Sequence, residues 1–163
     1  MPRTRSVRPA RRKRYVVDTS VLVSGVNSAD EFHVPCYQWI RERFDERAVF
    51  VVPALAFFEF QAAQSRIYRP RKRPAYRELR LHEENARLYP MGRRFLARTY
   101  EAGLYDKFEM LRGADLVFAC IAYLERLPLV TRDSAFDQYD TQLEIINPER
   151  VWSGWRSAAA SRQ

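Results

Sequence analysis

Four carboxylates stand where they can do chemistry: Asp18, Glu59, Asp115 and Asp133, with Asp137 a turn further on as an auxiliary candidate. Asp18 ends the β-branched run Tyr15-Val16-Val17, and Asp133 follows the apolar stretch Leu127–Thr131. Asp115 opens a run of nine apolar residues, Leu116–Leu124, and Glu59 sits among Leu55, Ala56, Ala62 and Ala63 at helical spacing. Each acid has a bland alternative. Asp115 and Asp133 suit helix N-caps, Asp18 suits a strand-end turn, and Glu59 has Arg66 or a distant arginine for an ion pair. Gathered in one cleft, however, four like charges repel strongly unless a cation neutralises them. Oxygen-only ligands select a hard ion, Mg²⁺ or Mn²⁺. Such a centre activates water and stabilises the leaving oxygen of a phosphodiester.

The elements that must position these acids alternate between strand and helix. Strands are expected at Tyr15–Val17, Ala48–Val52, Leu127–Thr131 and Leu143–Ile146, and helices at Val21–Val26, Pro35–Arg47, Ala54–Arg66 and Asp115–Leu124. Thr19 and Ser20 read as caps of the first helix. Between the third and last helices lies a basic segment, residues 67–99, expected to form a helical insertion with a helix over Tyr76–Tyr89, a break at Pro90-Met91-Gly92 and another short helix. Gly103-Leu104-Tyr105 reads as a minor strand or a turn. The pattern predicts an α/β fold with a mostly parallel central sheet covered by helices on both faces. In such sheets ligands bind outside the carboxyl ends of the strands, where the strand-end acids fall.

Composition narrows the function classes. The 163 residues amount to one domain's worth of chain, and a hydrophobic fraction of 47% rules out wholesale disorder. No apolar run is long enough for a membrane span, and no export signal is evident, so a cytoplasmic location is expected. Cys36, Cys120 and two histidines show no paired-ligand spacing, which argues against zinc. Net charge is +8, distributed unevenly: residues 1–14 hold seven basic residues and no acid, and residues 66–98 hold eleven against three glutamates. The remainder is therefore acidic. Cation-holding acids flanked by basic segments suit action on a polyanion, with Arg71, Lys72, Arg73 and Arg132 as candidate contacts to it. Residues 1–14 are expected to be a disordered arm, residues 15–156 the domain, and residues 157–163 a flexible tail.

Taken in order, these pieces resemble a PIN-domain nuclease. Val16-Val17-Asp18-Thr19-Ser20 is similar to the family's opening D-T-S/N motif, and Pro53–Ala63 with Glu59 to its helical acid. Gly113-Ala114-Asp115-Leu116, followed by Ala119 and Ala122, is similar to the helix of the third acid, and Leu129–Phe136 to the T-x-D-x-x-F segment. The set spans most of residues 15–147 and looks most like the toxin ribonucleases of bacterial and archaeal toxin–antitoxin pairs. The resemblance implies a Mg²⁺- or Mn²⁺-dependent endoribonuclease, a homodimer, held inactive by a protein antitoxin. Asp18, Glu59, Asp115 and Asp133 would be catalytic, with Asp18, Asp115 and Asp133 on the metal. Ser20 would orient a water or phosphate, Thr131 would support the cluster, and Asp137 would assist.

Three other readings compete. An aspartyl-phosphate mechanism of the haloacid-phosphatase kind needs an acid two residues after Asp18, where the chain has Ser20. A module that binds RNA or an antitoxin through its basic segments, with a weak or inactive site, would leave the acids structural. A nuclease that processes RNA outside any toxin pair would use the same chemistry.

Overall fold

The computed structural model describes residues 12–67 and 81–153. Five strands, β1 (Arg14–Val17), β2 (Val49–Pro53), β3 (Ala86–Tyr89), β4 (Leu129–Val130) and β5 (Ile145–Ile146), form one sheet in the order β3-β2-β1-β4-β5. Every neighbouring pair is parallel. The helices are α1 (Thr19–Val26), α2 (His33–Asp45), α3 (Ala54–Ile67), α4 (Arg93–Glu101), α5 (Leu104–Lys107) and α6 (Gly113–Glu125), with a 3₁₀ segment at Ser134–Tyr139.

The chain steps from β1 outward through β2 to β3, then crosses back to β4 and on to β5. Right-handed crossovers therefore place α1–α3 on one face and α4–α6 on the other. Between them β1, β2 and β4 are buried almost end to end, which is why they read as unbroken apolar runs. Phe50, Phe60, Phe108, Phe118 and Phe136 are the bulkiest fully buried side chains. Trp39 of α2 stacks on Phe50 at 5.7 Å and meets Tyr15 edge-on at 5.3 Å, locking α2 over β1 and β2. α1 crosses α2 closely at Gly25, where a Cβ would lie 2.5 Å from Ile40 Cδ1, so no larger residue fits without displacing that side chain.

The expected α/β architecture holds, with local differences. Of the helix expected over Tyr76–Tyr89, residues 76–80 lie outside the described set, and Ala86–Tyr89 is a strand, pairing with β2 from Phe50↔Ala86 to Pro53↔Tyr89. This edge strand leaves Arg87 and Leu88 exposed, so it carries neither an apolar run nor a clean alternation. The described part of the basic segment thus supplies sheet as well as helix. Gly103-Leu104-Tyr105 is no strand: Gly103 takes φ 61° and opens α5. The expected helix break at Pro90–Gly92 precedes α4 as the sequence indicates. Residues 1–11 and 154–163 lie outside the described set, and the expected tail with them. The last three residues of the expected arm are ordered: Arg12 donates to the carbonyls of Arg47 and Glu84, Lys13 O accepts Val49 N–H, and Arg14 opens β1.

Candidate active site

Strand order reverses between β1 and β4, making their carboxyl ends the topological switch point of the sheet. Asp18 sits at this point, its backbone N–H donating to Val130 O at 2.9 Å. Only 6% exposed, its carboxylate serves two purposes. Oδ1 accepts the Ser20 N–H at 3.3 Å, capping α1, while Oδ2 accepts the hydroxyls of Ser20 and Thr131, both at 2.8 Å. Burial raises the Asp18 pKa, against the pull of those hydrogen bonds, and the Asp133 charge raises it further.

The other acids arrive from separate elements. Glu59 is exposed on α3, and its Oε2 accepts the Thr19 hydroxyl at 2.9 Å. The pairing with Arg66 is not formed; Arg66 instead donates Nε to the Ala62 carbonyl. Asp115 is half-buried in the first turn of α6, two residues after Gly113, whose φ of 54° turns the chain into the helix. It is not the N-cap, a position held by Arg112. Burial raises the Asp115 pKa, and the charges of Asp18, Asp133 and Glu59 add to the rise. Asp18, Asp133 and Glu59 are therefore all within electrostatic reach of Asp115. Asp133 does cap, its Oδ1 accepting Ala135 N at 2.8 Å, while its own N–H donates to Thr131 Oγ1 at 3.0 Å.

Two candidates stand elsewhere. Asp137 forms a bidentate ion pair with Arg150, at 3.1 and 2.5 Å, and so is committed to the chain that follows β5. Arg132 is not presented as a free RNA contact. Its guanidinium lies 3.7 Å from the centre of the Phe32 ring, donates to Ser24 Oγ and pairs with Asp30 at 3.7 Å. That makes it a clasp between the β4 end and the α1–α2 connection. Arg71, Lys72 and Arg73 lie outside the described residues. Thr19 and Ser20 are not the caps of α1 that the sequence suggests: Asp18 is the N-cap, and the Thr19 hydroxyl instead holds Glu59. The adjacency of Asp18, Thr19 and Ser20 was the available signal.

Among the described residues no three acidic, histidine or cysteine side chains converge into a ready-made cage. The donor set still fits a hard divalent ion. It is oxygen only, its charges are mutually unfavourable, and Mg²⁺ keeps several waters and needs few direct carboxylates.

The PIN domain family matches residues 15–142, most of the described chain. The chain belongs to the PIN-domain family. PIN domains are in general nucleases that use divalent metal ions. No curated protein shows significant sequence similarity to the chain. Among solved structures, the crystal structure of VapBC2 from Rickettsia felis bound to a DNA fragment from their promoter is similar, with a TM-score of 0.56 at 18% identity. The match covers 82% of this chain and 98% of that one, and at this identity it shows the fold. Among the described residues of this PIN domain no helix is long and apolar enough to cross a membrane.

Proposed function

We propose that this PIN domain is a Mg²⁺- or Mn²⁺-dependent endoribonuclease and the toxin of a toxin–antitoxin pair, acting in the cytoplasm as a homodimer. What supports the reading is the electrostatic proximity of Asp18, Asp133 and Glu59 to Asp115 beside the switch point. Asp18, Asp115 and Asp133 would hold the metal. When bound, the ion neutralises the carboxylates, lowers the pKa of a water and balances charge on the leaving oxygen.

The chain's own residues do the positioning. Ser20 and Thr131 saturate Asp18 Oδ2, which leaves Oδ1, bonded only to the longer Ser20 N–H contact, as the oxygen turned to ligand duty. Thr19 holds Glu59 where it can orient the attacking water. Asp115, in the first turn of α6, is the other carboxylate placed to orient that water or take its proton. The net charge of +8 draws the polyanion to an otherwise acidic cleft. The fold shared with a VapBC complex supports a protein antitoxin as partner.

The deciding experiment incubates a mixed RNA pool with purified protein in Mn²⁺ or in EDTA, alongside Asp18→Asn. Cleavage with Mn²⁺ that EDTA and the variant both abolish supports the reading, and mapped ends begin to define the target. A folded protein, freed of any partner, that leaves RNA intact would instead be a binding module with an inactive site.

A further inference from the structure

The outward face of α3 presents Glu59 inside an apolar stripe. Leu55 is 45% exposed, Phe58 is 71% exposed, and Ala62 is exposed on the next turn. These positions follow the three-and-four spacing of one helical face, so the stripe runs along the helix on both sides of the catalytic carboxylate. A phenylalanine normally goes to the core, and the neighbouring Phe60 does so, being 1% exposed. Phe58 instead offers its ring to solvent one residue from an active-site acid. Arg66, two turns or ~12 Å further along α3, folds back onto the same surface through its Nε bond to the Ala62 carbonyl at 3.2 Å.

We propose that Phe58 is a stacking platform for a nucleobase beside the scissile phosphate. The inference rests on the endoribonuclease reading and adds a base-binding residue to its site. A phosphodiester drawn to the acid cluster brings a base to either side, and the nearest exposed aromatic ring among the described residues of α3 is Phe58. A phenyl ring has no polar edge, so it accepts any base by its flat face, whereas a base inside a duplex already has both faces covered. Arg66 adds a cation along the path the strand would take over α3. A protein partner fits this patch less well. A stable interface takes about 800 Å² per partner, more than three side chains on two turns provide, and covering Phe58 would bury the Glu59 carboxylate beside it.

The test uses the full chain carrying Asp18→Asn, which binds without cutting, and a labelled single-stranded RNA whose cut site has been mapped with the wild type. Fluorescence anisotropy then compares Phe58→Leu and Phe58→Trp with the parent. Phe58→Leu, apolar but not aromatic, is expected to weaken binding about tenfold, and Phe58→Trp to preserve it. An RNA lacking the base at the cut is expected to bind as weakly as the leucine variant does, with no further loss when the two are combined. A fully paired duplex of the same sequence is expected to bind at least as weakly. Leucine-variant binding within twofold of the parent overturns the proposal, as does equal cleavage of single strand and duplex by the wild type. If Phe58→Leu instead converts a dimer to a monomer and leaves RNA binding intact, the stripe is a seam between protein chains and the proposal fails. A wild type that cuts no RNA under Mn²⁺ removes the endoribonuclease reading itself, a result the binding arms do not produce.

Discussion

Thr131 Oγ1 donates a 2.8 Å hydrogen bond to Asp18 Oδ2 across 113 residues of sequence, and the same oxygen accepts the Asp133 N–H at 3.0 Å. One buried hydroxyl thus joins the ends of the two strands that flank the switch point. Its proton is committed to the acid, so its lone pair can hold the loop that carries the next acid.

Thr131→Val keeps the shape and removes the link. Asp18 then loses a charge-assisted bond in a buried setting, and the Asp133 N–H loses its acceptor. The expected cost is about 2 kcal/mol, read as a lower urea midpoint at pH 7, together with a clear loss of RNA cleavage. Thr131→Ser retains the hydroxyl and is expected to restore most of both. A valine variant with the wild-type midpoint would show that the bond contributes nothing net.

Asp115→Asn separates catalysis from stability. The folded-state pKa of Asp115 is raised from its ordinary 3.8, first by burial and then by the charges of Asp18, Asp133 and Glu59. The fold therefore holds that proton more tightly than the unfolded chain does. Ionisation costs no stability below about 3.8, costs progressively more as pH rises towards the raised value, and costs a constant amount above it. In metal-free buffer the variant is expected to melt at or above the wild-type temperature at pH 7, and the difference should vanish in acid. Millimolar Mg²⁺ should raise the wild-type melting temperature more than that of the variant. Cleavage should be lost. A variant that melts well below wild type at pH 7 would mean that Asp115 supports the fold rather than straining it.

Much of this site is legible in the sequence, and the exceptions have physical causes. Asp18 and Asp133 can be placed because each follows a strand whose burial on both faces leaves an unbroken apolar run. Glu59 stands out because small side chains surround it at helical spacing. Strand β3 is hidden because it is an edge strand carrying Arg87 and an exposed Leu88, so nothing in its pattern separates it from a charged helix. By composition Arg132 reads as a cation available to RNA, but composition cannot show that Ser24 of α1 and Asp30 and Phe32 of the α1–α2 connection converge on it.

Asp137 illustrates the same limit through geometry. Four residues after Asp133, it would share a face with it in an α-helix. Ser134–Tyr139 is 3₁₀, where about three residues make a turn, so position 137 rotates away and meets Arg150. Asp137→Asn is therefore expected to leave cleavage within about twofold of wild type. Because the ion pair is largely exposed, its loss should leave the urea midpoint close to that of the wild type. Activity falling as far as in Asp18→Asn would place Asp137 among the catalytic acids after all.

Glu125 supplies a pH dependence of opposite sign, remote from the acid cluster. Its Oε1 accepts Tyr89 Oη at 2.8 Å and Arg98 Nη1 at 2.9 Å, while Arg98 also donates to Leu124 O, so β3, α4 and the end of α6 meet on one carboxylate. Burial raises the Glu125 pKa, but the bonds from Arg98 and Tyr89 outweigh it and the net direction is down. A carboxylate depressed in the fold contributes stability above its unfolded pKa, near 4.5, and loses that contribution as pH falls through the lower folded value. Glu125→Gln keeps an acceptor and removes the charge. The expected loss at pH 7 is up to about 1 kcal/mol, shrinking towards zero in acid, as followed by urea unfolding at several pH values. If the variant and the wild type lose stability in parallel on acidification, this carboxylate does not contribute to the acid limb. RNA cleavage by the variant at pH 7 should stay near the wild-type rate, because the junction lies outside the acid cluster.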